Sequence, residues 1–141
     1  MPIIDISREL TATAPYAGDP PPRMHALATH EQDGYQLQAV VMSLHAATHA
    51  DAPLHFLPGG SDVAALPLDA FVGPCTVLTA PAGALDAAFF LRSAFGAAAP
   101  APHGERLLLR GPGYLLKSAI GYLYTRGVRL VGTDQPSVGR P

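Results

Sequence analysis

Apolar and polar side chains repeat with two different periods along the chain. Residues 35–44 alternate between the two classes and predict a strand that becomes buried toward its end. In residues 114–126 the apolar side chains recur at helical spacing, and Gly127 follows at the position of a C′ glycine. Residues 106–110 and 128–131 predict strands on either side of this helix. The C-terminal part therefore predicts a βαβ unit.

Shorter patterns predict the remaining elements. They are a strand at residues 3–6, a rigid turn at 16–19 before three prolines, a helical turn at 67–71, a strand at 75–78, a helix at 84–95 and a loop at 97–104. The sequence shows no internal repeat at a fixed period. The fold class expected is α/β, or α+β with a mixed sheet and flanking helices.

Composition and charge narrow the class of protein. The chain has 141 residues, the size of a single domain, and 48% of them are hydrophobic while only 14% are charged, which is typical of a globular protein. A net charge of -2 without a basic run argues against nucleic acid as a partner. The sequence shows neither a secretory signal nor a membrane span, so we expect a cytoplasmic protein without a membrane partner.

Four side chains that can bind metals lie within eleven residues: His45, His49, Asp51 and His55. On a helix they would not share a face. On extended backbone all four have the same parity, so they would point to one side, and Pro53 places the segment at an edge or in a loop. This pattern predicts that they converge on one pocket.

Imidazole nitrogens with a carboxylate oxygen suit zinc, and also manganese or iron. A metal ion in such a site activates water toward a carbonyl carbon, which predicts hydrolysis of an amide or ester. A histidine left over from ligation could then move protons. The alternative is that these are polar loop residues, with Asp51 forming an Asx turn before Pro53.

The stretch is similar to the metal-binding signature of the cyclase-like metal-dependent hydrolases, His-x-Gly-[Thr/Ala]-His-x-Asp-x-Pro-x-His. Within that superfamily the chain resembles the bacterial kynurenine formamidases. Supporting segments run over nearly the whole chain: IIDIS, YAGDP, ADAPLHF, LPLDAFVGPCTV, RLLLR and GVRLVGTDQPS.

The resemblance implies a cyclase-like swivelling β/β/α domain and a role for each site residue. His45, His49 and Asp51 would bind the first of two zinc ions, with manganese as an alternative, and Asp51 would bridge to the second ion. His55 would be the catalytic proton donor and acceptor, and Tyr16 would contact the substrate. The implied reaction is that of an arylformamidase: N-formyl-L-kynurenine, a linear amide, is hydrolysed to L-kynurenine and formate in tryptophan catabolism.

The sequence departs from the family pattern at two places. Ala47 replaces the glycine of the signature, so the loop must adjust if that position needs a positive φ. The family's further His and Glu ligands to the second metal have no counterpart, so residues 1–141 are expected to form one domain that is incomplete at its C-terminus. The other three histidines are predicted to lie on the surface: His25, His30 and His103.

Three hypotheses on function remain open at this stage. The chain is a kynurenine formamidase, a hydrolase of another amide, lactam or ester on the same scaffold, or a non-catalytic remnant that binds metal weakly. The family also implies a homodimer or a larger assembly.

Overall fold

The computed structural model describes residues 2–93 and 105–140, and the chain divides into two compact units, residues 1–65 and 66–141. In the first unit, strand β1 (Arg23–Ala28) pairs antiparallel with strand β2 (Leu37–Val41). Between them lies the short helix α1 (His30–Asp33). Over the described ranges, the structure contains no helix of the length and apolarity that a bilayer crossing requires.

Helix α1 is closed at both ends by local hydrogen bonds. The Thr29 side chain accepts a hydrogen bond from the Gln32 amide, and the Asp33 carboxylate accepts one from the Thr29 amide at 2.8 Å. This reciprocal pair satisfies two amides that the first helical turn leaves without a partner. Gly34 then ends the helix with a φ of 76° and turns the chain into β2. Strand β2 delivers the chain to the histidine-rich loop.

The second unit contains two parallel sheets. Their elements in chain order are β3 (Thr76–Thr79), β4 (Gly83–Leu85), α2 (Ala87–Arg92), β5 (Arg106–Arg110), β6 (Gly113–Leu115), α3 (Lys117–Thr125) and β7 (Leu130–Thr133). One sheet has the order β3-β5-β7, and the other pairs β4 with β6. Phe90, Leu85 and Leu107 lie fully buried between these strands and helices. The core is therefore made where β5 meets α2 and α3.

Several sequence predictions are confirmed. Strand β5 has the predicted bounds, and α3 connects it to a parallel β7, which is the predicted βαβ unit. Gly127 follows α3 with a φ of 79°, as expected of a C′ glycine. The α/β fold class is also confirmed, with parallel pairing in the second unit and antiparallel pairing in the first.

Other predictions were wrong in extent or in kind. Residues 3–6 form no strand, and Ile3 is fully exposed. The strand predicted at 35–44 spans only Leu37–Val41, and it does not become buried, since Val41 is 62% exposed. Both helices predicted at 84–95 and 114–126 begin later, because their first residues form β4 and β6 and pair with each other. Residues 94–104, which include the predicted loop, lie outside the described residues.

Gly111 packs its backbone against Ala80 and has a φ of +120°. A Cβ at this position would lie 2.4 Å from the Ala80 carbonyl oxygen. We therefore expect Gly111→Ala to lower the free energy of unfolding by about 2–4 kcal/mol, from the strained φ and the steric overlap together. Chemical denaturation of the two proteins measures the difference.

Gly121 offers a matched control, because it lies exposed within α3 and a Cβ there meets no atom within 4 Å. Gly121→Ala should raise stability by about 0.5–1 kcal/mol, since alanine favours the helix. If Gly111→Ala were as stable as the wild type, the result would contradict the close contact between Gly111 and the Ala80 carbonyl oxygen.

Candidate metal centre

The loop after β2 brings the candidate ligands together through turns. The Ala46 amide donates to the Ser43 carbonyl oxygen at 3.1 Å, and Ala47 has a φ of +51°, in the left-handed region. Extended backbone was therefore the wrong basis for the predicted convergence, because the chain reverses between His45 and His49. The predicted outcome is nevertheless observed: the side chains of His45, His49, Asp51 and His55 form one cluster.

Three donor atoms of this cluster lie within 3.5 Å of one another. His45 Nδ1 lies 3.0 Å from Asp51 Oδ1 and 3.2 Å from His49 Nε2. The distance from His49 Nε2 to Asp51 Oδ1 is 3.5 Å. Two ligand atoms that bind one zinc ion tetrahedrally are about 3.4 Å apart, given bond lengths of about 2.1 Å. The spacing and the two-nitrogen, one-carboxylate donor set fit a divalent metal ion.

The backbone of Ala47 sets the orientation of His49. His49 Nδ1 lies 2.9 Å from the Ala47 carbonyl oxygen. A carbonyl oxygen only accepts, so Nδ1 carries the proton and Nε2 of the neutral ring carries a lone pair. That lone pair points toward His45 and Asp51, in the state that a metal ligand needs. The sequence could not indicate this contact, because it depends on the conformation of Ala47.

His55 joins the cluster from the other side of the His45 ring. It ends a 3₁₀ turn, Pro53–His55, that begins with the conformationally fixed proline. Its Nδ1 lies 3.2 Å from His45 Nε2, and its ring also packs edge-on against Phe56. His55 is thus outside the three-donor set, but its ring contacts His45, which is a member of that set.

Tyr16 lies in the predicted turn and is half exposed, and the Asp19 amide donates to its carbonyl oxygen at 2.9 Å. The turn is joined to the histidine loop by a hydrogen bond from the Ser43 hydroxyl to the Asp19 carboxylate. Sequence reasoning missed Ser43, which carries no signal beyond being a polar residue. His25 and His30 are exposed, as predicted, while His103 lies outside the described residues.

The positive φ of Ala47 leads to a testable prediction. A β-branched residue is strongly disfavoured in the left-handed region. We expect Ala47→Val to lower the free energy of unfolding by more than about 1 kcal/mol and to weaken metal binding, because the carbonyl that holds His49 would move. Denaturation curves and a metal titration measure the two effects.

Two further substitutions make this prediction specific to Ala47. Ala47→Gly should be tolerated, because glycine adopts the same φ freely. Ala50→Val places the same side chain at an exposed position of the same loop where φ is not positive, so it should change both quantities little. Equal losses in both valine variants would contradict the assignment of strain to Ala47.

Comparison with known proteins places the chain in a family. The Cyclase family model matches residues 4–140. Kynurenine formamidases of Paracidovorax citrulli (strain AAC00-1), Salinibacter ruber (strain DSM 13855 / M31) and Bordetella avium (strain 197N) are 42%, 37% and 31% identical over 109, 152 and 148 residues. The alignment with the Paracidovorax protein covers 75% of this chain and 50% of that relative, so the chain spans half of its length. The alignment with the Salinibacter protein covers 98% of this chain and 71% of the relative. For the Bordetella protein the two values are 95% and 69%.

Two solved structures share the fold, each at 21% sequence identity. One is described as a potential metal-dependent hydrolase with cyclase activity; its TM-score is 0.75, and the match covers 97% of this chain and 69% of that one. The other is isatin hydrolase A from Labrenzia aggregata bound to benzyl benzoate, with a TM-score of 0.70 and coverage of 96% and 68%. The family model spans nearly the whole chain, and two relatives above 30% identity are matched over more than two thirds of their length. The chain belongs to the cyclase family, as its histidine motif predicted.

Proposed function

We propose that this protein is a metal-dependent amidohydrolase that cleaves N-formyl-L-kynurenine to L-kynurenine and formate. The observation that carries the proposal is the cluster of His45 Nδ1, His49 Nε2 and Asp51 Oδ1 at ligand spacing, with His55 bonded to the far side of His45. The similarity to three kynurenine formamidases supports the choice of substrate.

In this proposal His45, His49 and Asp51 hold the ion, and zinc is the metal proposed, since it suits this donor set. When bound, a zinc ion supplies a Lewis acid that polarises a carbonyl group and lowers the pKa of water. The carboxylate of Asp51 contributes the one negative charge among the three donors and so offsets part of the charge of the ion. The two imidazoles remain neutral ligands.

His55 is proposed to move the proton. Hydrolysis of a formamide breaks the bond between the formyl carbon and the nitrogen, adds the oxygen of water to the carbon and requires a proton on the departing amine. An imidazole that takes a proton from water and gives it to the nitrogen performs both transfers. His55 is exposed, so its ring is accessible to a substrate. Its Nδ1 faces Nε2 of His45, which carries the proton when His45 binds metal through Nδ1, so the His55 ring must turn out of this contact before it takes a proton from water.

The finer parts of the proposal follow the family resemblance. Tyr16 would stack on the aromatic ring of the substrate, since aromatic side chains favour such contacts. The same proposal includes a second metal ion bridged by Asp51 and a homodimer. It also includes a single domain over residues 1–141, a cytoplasmic location and a role in tryptophan catabolism.

The test uses the purified full chain, stripped of metal by a chelator and reloaded with zinc. We expect release of formate and kynurenine from N-formyl-L-kynurenine only after reloading. Isatin, a lactam, and a phenyl ester serve as competing substrates. Faster cleavage of either would assign another substrate to the site, and hydrolysis that survives the chelator would contradict a metal-dependent reaction.

A further inference from the structure

A chain of hydrogen bonds leads from the turn at residues 16–19 to the first candidate ligand. The Ser43 hydroxyl donates to Asp19 Oδ2 at 2.7 Å, and the Ser43 Oγ accepts a hydrogen bond from the His45 amide at 3.2 Å. The Ser43 carbonyl oxygen also accepts from the Ala46 amide at 3.1 Å. Ser43 therefore organises the turn that carries His45, and Asp19 fixes the direction of the Ser43 hydroxyl.

We infer that Asp19 and Ser43 are positioning residues that hold His45 in the orientation required for metal binding. The inference rests on the proposed metal centre and concerns residues to which neither the motif nor the comparisons assign a role. Neither residue belongs to the donor set. They act through the backbone of His45, which is two residues after Ser43.

Burial alone does not fix this part of the loop. His49, Asp51 and His55 are exposed, and the side chain of His45 retains 29% of its accessible surface. Hydrogen bonds must therefore supply the order that a packed core supplies elsewhere. The bond between Ser43 and Asp19 is suited to this, because both residues are partly buried and a charged acceptor strengthens it.

The same bond connects two parts of the proposed site. The turn that ends at Asp19 begins at Tyr16, the proposed substrate contact, and the Asp19 amide closes that turn. A second link from the N-terminal segment runs parallel to it, from the Arg8 amide to the Thr48 hydroxyl at 2.8 Å. Two hydrogen bonds thus join the loop with the candidate ligands to the N-terminal segment. Asp19 lies 24 residues before Ser43, and Arg8 lies 40 residues before Thr48.

The test compares Ser43→Ala, Asp19→Ala, the double variant and the conservative Ser43→Thr in the full chain. Cobalt(II) affinity of the metal-free proteins is measured by titration. Long-range proton–nitrogen spectra of the histidine rings report on His45 without any metal. Thr29→Ala is the matched control, because it removes a hydroxyl that caps α1 in the same unit, away from the cluster.

We expect Ser43→Ala and Asp19→Ala each to weaken cobalt affinity about tenfold, the lower end of the range for groups that orient metal ligands. The double variant should lose no more than Ser43→Ala, because Ser43→Ala already removes both the hydrogen bond to Asp19 and the one from the His45 amide. Ser43→Thr should restore affinity. The His45 ring signals should shift in both alanine variants, while those of His25 stay unchanged.

Two results would overturn the inference. One is unchanged affinity and unchanged His45 signals in both alanine variants. The other is an equal loss in Thr29→Ala, which would mean that affinity follows general stability. If the wild type bound no cobalt, the proposed function would fail, and the His45 spectra would still decide whether Asp19 and Ser43 orient this ring.

Discussion

Replacing His55 by glutamine should reduce the rate of formamide hydrolysis by about 10²- to 10⁴-fold, the usual contribution of a general acid and base. The glutamine amide can still contact His45 Nε2, which lies 3.2 Å from His55 Nδ1 in the wild type. It cannot exchange a proton at neutral pH. Because His55 is outside the three-donor set, we expect the variant to keep its metal. Steady-state kinetics and elemental analysis of the same sample measure both quantities.

His25→Gln is the control for this variant, since His25 is an exposed histidine on β1 outside the cluster. It should leave the rate unchanged. Full activity in His55→Gln would remove His55 from the proposed proton transfer. Loss of the metal in that variant would instead assign His55 to the donor set.

Asp51→Ala should weaken metal binding by more than about 100-fold, beyond the range observed when only an outer partner of a ligand is lost. Asp51 Oδ1 lies 3.0 Å from His45 Nδ1 and 3.5 Å from His49 Nε2, so in the proposed site the carboxylate would contribute both a ligand atom and the charge that opposes the ion. The two imidazoles that remain are fewer than the three protein ligands of a typical catalytic zinc site. A zinc titration against a chromophoric chelator gives the affinity.

Asp62→Ala is a suitable comparison, because Asp62 lies in the same unit and its carboxylate accepts a local hydrogen bond from the Ala65 amide. Its zinc affinity should equal that of the wild type. A similar affinity in both aspartate variants would show that Asp51 is not a ligand.

The βαβ unit shows which part of the fold the sequence determines locally. The apolar run of β5 and the spacing within α3 are sufficient to predict these elements, because their buried faces pack on the same core. The start of α3 was placed too early, since Gly113–Leu115 has helical spacing with the residues that follow but pairs with Gly83–Leu85. Pairing between distant segments overrides local preference and leaves no periodic signal.

The first unit shows the opposite case. Ile3 and Ile4 indicated a strand, and the segment that contains Val41 predicted a strand that becomes buried, yet all three side chains are largely exposed. A pattern of apolar residues indicates which side of a strand can be buried and says nothing of what packs against it. In the antiparallel pair, β1 and β2 each have one partner strand, and most of their side chains remain accessible.

The sequence predicted which residues form the candidate site, but it did not predict how the backbone brings them together. Spacing and residue type identified His45, His49, Asp51 and His55, because that combination is rare outside metal sites. The glycine of the family signature pointed to a positive φ at position 47, and Ala47 adopts it, although alanine by itself gives no such signal. Ser43 and Asp19 were equally hidden, because serine and aspartate occur in many turns without a special role.

The metal content of the purified protein decides whether the histidine loop holds an ion. The chain is expressed in zinc-supplemented medium, and zinc per chain is determined by elemental analysis beside His49→Ala. We expect at least about one zinc ion per chain, as the three-donor set requires, and loss of this ion in His49→Ala. A wild type without metal, or equal zinc in both proteins, would contradict a metal centre at His45, His49 and Asp51.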